Sequence, residues 1–297
     1  MYDSTQVKTF LTCPFKYYLK FCVGLVQKES TMFHLEFGLL VHTFLEELYK
    51  RIQQNNFSSV IKLDEISKNY IDPVGENDKT NEGFVGLCKA YTVHWLDQDK
   101  KLKILNIEQI HTFDFNKIPF VVKLDTEIEF QDNKYSFEHK TTRMPIKYNY
   151  FDAYFLDQQI TAQAAAMQEK HTSTSGVMVN VLAVKQYKKN TKDHSKGYNF
   201  EFKRSIINRT PAEIDDWRIQ INYMIKTIEQ HKEKKFFPKA LMSHACMSFN
   251  SVCPYANICK CSKGMEVEEQ IIENMYDFVD PLEYLKPEKQ KEVKNVI

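Results

Sequence analysis

Residues 121–142 read VVKLDTEIEFQDNKYSFEHKTT, and the alternation in this stretch decides the fold. Counting from Phe120, the apolar positions Val122, Leu124, Ile128 and Phe130 fall on one side, and Lys123, Asp125, Glu127 and Glu129 on the other. A period of two belongs to a β-strand with unlike faces. A second run repeats it, with Tyr135 and Phe137 against Ser136, Glu138 and Lys140. Asp132-Asn133 suits a two-residue turn between them, because both residues tolerate positive φ. Pairing Gln131 with Lys134 sets Phe130 opposite Tyr135, Glu127 opposite Glu138 and Asp125 opposite Lys140. The apolar sets then share one side of the hairpin, and Asp125, Glu138 and Lys140 converge on one exposed polar patch.

Two carboxylates and a lysine in this pattern suit hydrolysis of a phosphodiester. The carboxylates can hold a hard divalent cation, which keeps several waters and accepts phosphate oxygens as further ligands. Such a cation lowers the pKa of a bound water and stabilises charge on phosphorus. Lys140, two residues after Glu138, reaches the same side of the strand, where it can orient the water or stabilise the anion. A solvated strand face of mixed charge has the same local pattern, so the rest of the chain must decide between them.

Upstream, Phe37, Leu40, Val41, Phe44, Leu45 and Leu48 recur at helical spacing in FGLLVHTFLEELY. His42 and Glu46 lie four apart on one side of that helix. Beside a carboxylate site His42 is a candidate third ligand through its neutral imidazole. Glu108, in the strand-like run ILNIEQIHTF, is a further candidate carboxylate or a plain strand charge.

The order FGxxxH, Asp, ExK and then a glutamine-bearing helix resembles the PD-(D/E)XK nucleases, in particular the RecB-like and CRISPR-associated RecB-like exonuclease branch, whose phage-encoded members are similar in size. The resemblance runs from about Ser4 to Cys259. It implies an α/β fold, a restriction-endonuclease-like mixed sheet flanked by helices. It implies that His42, Asp125 and Glu138 bind Mg²⁺ or Mn²⁺, that Lys140 is catalytic, and that Gln159 of DQQITAQAAAM belongs to the next motif. Gln163 stands there where tyrosine is expected, which puts that tyrosine's DNA contact in doubt. The implied activity is that of a metal-dependent deoxyribonuclease, an exonuclease acting on single-stranded or free DNA ends in recombination, repair or phage DNA processing.

Seven cysteines, with no signal peptide or membrane-length apolar run, point to a reducing cytoplasm and away from a disulfide framework. Cys246, Cys253 and Cys259 cluster late in the chain, one short of a four-thiolate set. Cys13-Pro14 resembles the early cysteine of the same nuclease branch, where one early and three late thiolates hold a [4Fe–4S] cluster. Zn²⁺ suits four thiolates equally, free cysteines also pack as small hydrophobes, and Cys22 or Cys261 can replace a ligand. Either metal would clasp the first helix to the last.

With 297 residues, 43% of them apolar and only eight glycines, the chain can bury a substantial core. The expected organisation is one nuclease domain over 1–263, followed by an acidic tail, 264–297. Within the domain, 1–100 is mainly helical (5–21, 33–54 and 84–100), 101–210 is the catalytic core, and 236–263 is the cysteine-rich clasp. Strands are expected at about 103–113, 119–130 and 134–141, then a helix over 153–170 and a buried strand at GVMVNVLAV. Thr210-Pro211-Ala212-Glu213 reads as a capping box opening a helix to about Lys235.

Net charge is +1, but residues 185–204 hold seven cations against two acids. Lys188, Lys189 and Lys192 there are candidate phosphate contacts, and Tyr187, Tyr198, Phe200 and Phe202 can either stack on bases or pack inward. The tail, with nine acids and four lysines, reads as a docked helix, a partner-binding arm or a disordered end. No phosphate-binding GxxxxGK[ST] occurs, so an ATP-driven helicase or recombination partner would be a separate chain. The alternative function class is a catalytically silent DNA-binding or assembly subunit that keeps the nuclease fold.

Overall fold

The alternating segments form long strands, and the 3.6-period segments form helices that cover them. A computed structural model describes residues 1–28, 33–58, 60–73, 78–171, 174–186, 197–248, 251–261 and 265–280. The chain opens with β1 (Tyr2–Asp3), α1 (Ser4–Thr12), α2 (Pro14–Tyr17), a π-helical turn (Tyr18–Val23) and β2 (Leu25–Gln27). Next come α3 (Phe33–Gln53), α4 (Leu63–Ile66), α5 (Asn81–Asp99), β3 (Lys103–Phe115), β4 (Ile118–Phe130) and β5 (Asn133–Thr142). A 3₁₀ turn (Tyr150–Tyr154) leads to α6 (Gln158–Lys170), β6 (Thr174–Gln186), β7 (Tyr198–Asn208) and α7 (Pro211–Glu233). The chain closes with α8 (Ser243–Cys246), β8 (Met247–Ser248), β9 (Ser251–Val252), α9 (Ala256–Lys260), α10 (Met265–Met275) and β10 (Tyr276–Phe278).

Two compact units are interleaved along the chain. One comprises residues 31–113 and 122–217, the other residues 1–30, 114–121 and 218–296. In the first, β4 pairs with β3 on one edge and antiparallel with β5 on the other; β5 runs parallel to β6, and β6 antiparallel to β7. Parallel neighbours need a crossover, and α6 supplies it between β5 and β6. This mixed sheet is covered on both faces, so Glu127, Asp125 and Glu138 are buried along with Leu124 and Phe137. The expectation of an exposed polar patch is thus corrected: Asp125, Glu127 and Glu138 lie inside the protein, Lys140 is half-buried, and Lys123 stays exposed.

The hairpin turn also differs from the expected one. Gln131 and Asp132 take the positive φ values, 51° and 62°, and Phe130 pairs with Asn133. The register follows as Ile128↔Tyr135 and Thr126↔Phe137, two residues displaced from the expected pairing. An even displacement keeps every side chain on its face. It does change the partners: the next pair in this register is Asp125 with Glu138, not Asp125 with Lys140.

The apolar stripe of α3 is fully used. Phe37, Leu40, Val41, Phe44, Leu45 and Leu48 are all buried with Phe84, Leu87 and Tyr91 of α5 and with Phe137, Met178 and Leu182 of the sheet. Helix α6 lies close on the sheet because Ala162, Ala164, Ala165 and Ala166 are small and buried. At Gly176 in β6, φ is 146° and a Cβ would collide with the Ile207 carbonyl, so only glycine fits this crossing. The capping box forms as expected, with Thr210 N–H donating to Glu213 Oε2 at 2.7 Å and Glu213 N–H to Thr210 Oγ1 at 3.3 Å.

In the second unit, Tyr2↔Phe120 and Asp3↔Val121 make a short parallel pairing. The expected helix over 5–21 is broken at Cys13, whose φ of −162° is extended, because the residue before a proline is pushed out of the helical region. Leu19, Leu25, Tyr255, Ile258 and Tyr276 form a small core. Tyr276–Phe278 pairs antiparallel with β2, so the first part of the acidic tail, 265–280, is a helix and a strand of this unit.

Candidate active site

The site grows from four elements of the first unit, β4, β5, α3 and α6. Asp125 on β4 and Glu138 on β5 are 8% and 3% exposed. Asp125 Oδ2 accepts the backbone N–H of His139 at 3.0 Å and lies 3.5 Å from His42 Nδ1 on α3. Lys140 forms a close ion pair with Glu138 Oε1 and donates to Gln159 Oε1 at 3.1 Å. Gln159 Nε2 donates to Glu138 Oε1 at 2.9 Å, and Gln163 Nε2 donates to Glu138 Oε2 at 2.6 Å. The two glutamines are one turn apart on α6, so one helix face holds both oxygens of one carboxylate. Asp157 starts that helix by accepting the N–H groups of Gln159 and Ile160.

Burial raises the Glu138 carboxyl above its ordinary value, and the neighbouring Asp125 adds to the rise. Burial would do the same to Asp125, but His42 and the N–H of His139 outweigh it and hold that carboxyl well below the usual range. For His42, burial opposes charge, yet Asp125 lifts the imidazole to about 9. Lys140 is raised: burial disfavours its charge, but Glu138 more than compensates. A dry pair of facing carboxylates is electrostatically costly unless cations attend it. Here His42 balances Asp125 and Lys140 balances Glu138.

Glu108 joins from β3, where its φ of 54° breaks the strand's alternation, and pairs closely with Lys123. Glu108 is raised, by burial first, with Asp125 and Glu46 among the groups it feels. It is therefore a neighbour of the site rather than a plain strand charge.

Beneath the site runs a buried polar network. His139 Nδ1 is 3.0 Å from Asn180 Nδ2, which fixes that nitrogen as an acceptor, and the His139 ring stacks on Tyr49 at 5.4 Å. Arg204 reaches Asn180 Oδ1 at 3.1 Å, both oxygens of Asp99 at 2.6 and 2.9 Å, and the Tyr91 hydroxyl at 2.7 Å. Its guanidinium lies 3.9 Å from the centre of the Trp95 ring. Arg204 thus serves the interior and does not add to the basic surface. Phe200 and Phe202 likewise pack against the core, with Phe202 edge-on to Tyr91 at 5.5 Å. For these aromatics the inward alternative holds.

His42, Asp125, Glu138, Lys140 and Gln159 come together. Gln163 joins them as a partner of Glu138; its spacing of four from Gln159 was the available signal. Lys188, Lys189 and Lys192 lie outside the described residues. In the other unit, Cys13 Sγ accepts the N–H groups of Lys16 at 3.5 Å and Ala240 at 3.4 Å. Burial raises the Cys259 thiol, and Cys253, Cys13 and Cys246 are all near enough to raise it further. Among the described residues, no three His, Cys, Asp or Glu side chains stand as a ready-made metal shell. The donor chemistry suits metals nonetheless: imidazole and two buried carboxylates for Mg²⁺ or Mn²⁺, and four thiols for a thiophilic centre.

Residues 4–260 match the family model of the PD-(D/E)XK nuclease superfamily. The chain belongs to this superfamily. The mixed sheet flanked by helices is consistent with its nuclease core, and nucleases of this superfamily generally use Mg²⁺ or Mn²⁺. Among proteins of curated function, none matches the sequence. The crystal structure of a protein named as a candidate exonuclease, from Eubacterium rectale, is similar over 89% of this chain and 90% of its own, with a TM-score of 0.45 and 11% identity. Among the described residues no helix of this PD-(D/E)XK protein is long and apolar enough to cross a membrane.

Proposed function

We propose that the protein is a Mg²⁺- or Mn²⁺-dependent deoxyribonuclease that cleaves phosphodiester bonds from DNA ends. The observation that carries this is the meeting of Asp125 and Glu138 on adjacent strands, both buried, with Lys140 on the same face and His42 supplied by α3. His42, Asp125 and Glu138 would hold the cation, which when bound supplies an activated water and a Lewis acid for the phosphate. Lys140 orients the attacking water and meets the negative charge that develops on the phosphate oxygens. Gln159 fixes Lys140, and Gln163 fixes Glu138, so the charged groups are set before substrate arrives. Loss of activity in EDTA, with recovery in Mg²⁺ or Mn²⁺, is the first expectation. Digestion of end-labelled linear DNA but not of closed circular DNA tests the end-directed mode; equal cleavage of both would overturn that part.

The same reading gives Cys13, Cys246, Cys253 and Cys259 one shared centre, an iron–sulfur cluster or its zinc alternative. It is supported by Cys13, Cys246 and Cys253 lying within electrostatic reach of Cys259 in one unit and by the two N–H groups aimed at Cys13 Sγ, since hydrogen bonds to cluster sulfurs tune such centres. Lys188, Lys189 and Lys192 are read as phosphate contacts, on the concentration of cations around them.

A further inference from the structure

The segment 143–157 leaves β5 three residues after Lys140 and enters α6 two residues before Gln159, so both of its ends are anchored at the catalytic carboxylate. It contains the run RMPIKYNYFDAYFLD. A polar loop is the expected cover for such a place, yet three of its large apolar groups face solvent: Tyr148 is 96% exposed, Leu156 95% and Phe155 57%. An exposed apolar patch of this kind beside a catalytic centre marks a binding surface.

The segment is held rather than loose. Ile146 is buried, its N–H donates to Glu201 Oε2 at 3.1 Å, and its carbonyl accepts Lys203 Nζ at 2.8 Å. Arg209 clamps the other end, donating to the Tyr154 carbonyl at 2.7 Å and to Thr161 Oγ1 of α6 at 2.9 Å. Tyr150, Phe151 and Tyr154 pack on one another with ring centres 5.6 to 6.2 Å apart. Burial raises the Tyr154 phenol, with Tyr150 and then Glu138 adding to it, so this aromatic nest stands within electrostatic reach of the site. The exposed rings and Leu156 therefore stand on a fixed base.

We propose that segment 143–157 is a stacking platform for the unpaired bases of a DNA end, deepening the nuclease reading by giving the site a preference for single-stranded or frayed ends. A ligand lying on the platform is a neighbour of the scissile phosphate. Leu156 and Gln159 are three residues apart, at most about 11 Å of chain, the length of about three stacked nucleotides at ~3.4 Å each. Bases in a duplex hide their faces from one another, while unpaired bases offer a flat apolar face to Tyr148 and Phe155 whatever their identity. Lys147, exposed, stands on the same segment to meet a phosphate between those bases, while Arg143 at the start of the segment is tied to the buried Asp78 at 2.6 Å.

The test compares binding in Ca²⁺, without turnover, of a 20-nucleotide single strand and of the same strand with abasic sites through its last four positions. Backbone charge is equal in the two, so the difference reports base contacts alone. The wild type should prefer the intact strand by roughly tenfold or more, the scale of stacking one base on an aromatic ring. Tyr148→Ala with Phe155→Ala should abolish that preference while the salt dependence stays as it was, and Tyr148→Phe should restore it. Because these rings are exposed, the thermal transition should not move. Equal binding of intact and abasic strands by the wild type would overturn the platform, as would a preference that survives the double variant; the latter would leave these rings as a surface for another protein. Base-dependent binding with no cleavage in Mg²⁺ or Mn²⁺ would support the platform and overturn the nuclease reading.

Discussion

Gln163 donates to Glu138 Oε2 at 2.6 Å from the position where the resemblance leads one to expect a tyrosine. It is fully buried, and its amide also reaches the Lys123 carbonyl at 3.3 Å, so it ties α6 to both strands of the hairpin. The departure from the family pattern thus becomes a hold on a candidate metal ligand. Gln163→Leu keeps the volume and removes the N–H. The Mg²⁺ concentration for half-maximal cleavage should rise by about 10- to 100-fold, the usual cost of losing a group that orients a ligand. An unchanged metal titration would show that Gln163 only fills space.

Asp125→Asn and Glu138→Gln preserve shape and remove one charge each from the facing pair. Cleavage should fall by at least about a hundredfold in each, the scale for losing one preorganised electrostatic element. The fold should persist, since the carboxylate that remains still attends both His42 and Lys140, while the repulsion that adds to the effect of burial on Glu138 is relieved. Circular dichroism with an end-labelled digestion assay checks both halves. Full activity of the folded Glu138→Gln protein would refute the site.

Asp99 is fully buried and pairs with both arms of the Arg204 guanidinium at 2.6 and 2.9 Å. Asp99→Ala leaves Arg204 charged, buried and short of its counter-ion. Removing one member of such a pair costs about 3–5 kcal/mol. Urea denaturation should show that loss. A shift under about 1 kcal/mol, the size of an exposed pair's contribution, would mean water or another group reaches Arg204.

What the sequence carried, and what it did not, follows from how each feature is encoded. The α3 stripe was legible because six apolar positions at helical spacing admit one buried face, and that face sets His42 on the side of the hairpin. The composition of the charged strand face was legible, but its burial was not, because alternation reports two unlike faces and does not say that helices cover both. The register was off by two, an error that alternation cannot detect since every side chain keeps its face. Arg204 shows the remaining limit. Among seven cations in twenty residues, nothing local marks the one whose partner, Asp99, lies 105 residues earlier in the chain.

If Cys13, Cys246, Cys253 and Cys259 share one centre, anaerobically purified protein should be brown, with iron and acid-labile sulfide in equal amounts. Cys→Ser at any of the four should discharge the colour and lower the thermal transition, because metal binding and folding are coupled in a clasp of this kind. Stoichiometric zinc without sulfide would select the zinc alternative. Intact anaerobic protein holding neither metal would remove the shared centre.

Lys188, Lys189 and Lys192 give the last prediction, which is separable from the platform by its dependence on salt. Each phosphate contact releases counterions, so log affinity falls with log salt by about 0.7 of slope per neutralised phosphate on a single strand. Replacing all three lysines with alanine should flatten that slope by roughly two units and weaken binding to unrelated sequences alike. The preference for intact over abasic strands should survive, because no base is involved. Cleavage at saturating DNA should also survive, because Lys140, Gln159 and Gln163 make up the set that holds Glu138. Binding isotherms across a salt series decide the matter: an unchanged slope would return these lysines to the role of a solvated surface, while a lost base preference would mean that they and the aromatic segment act as one surface.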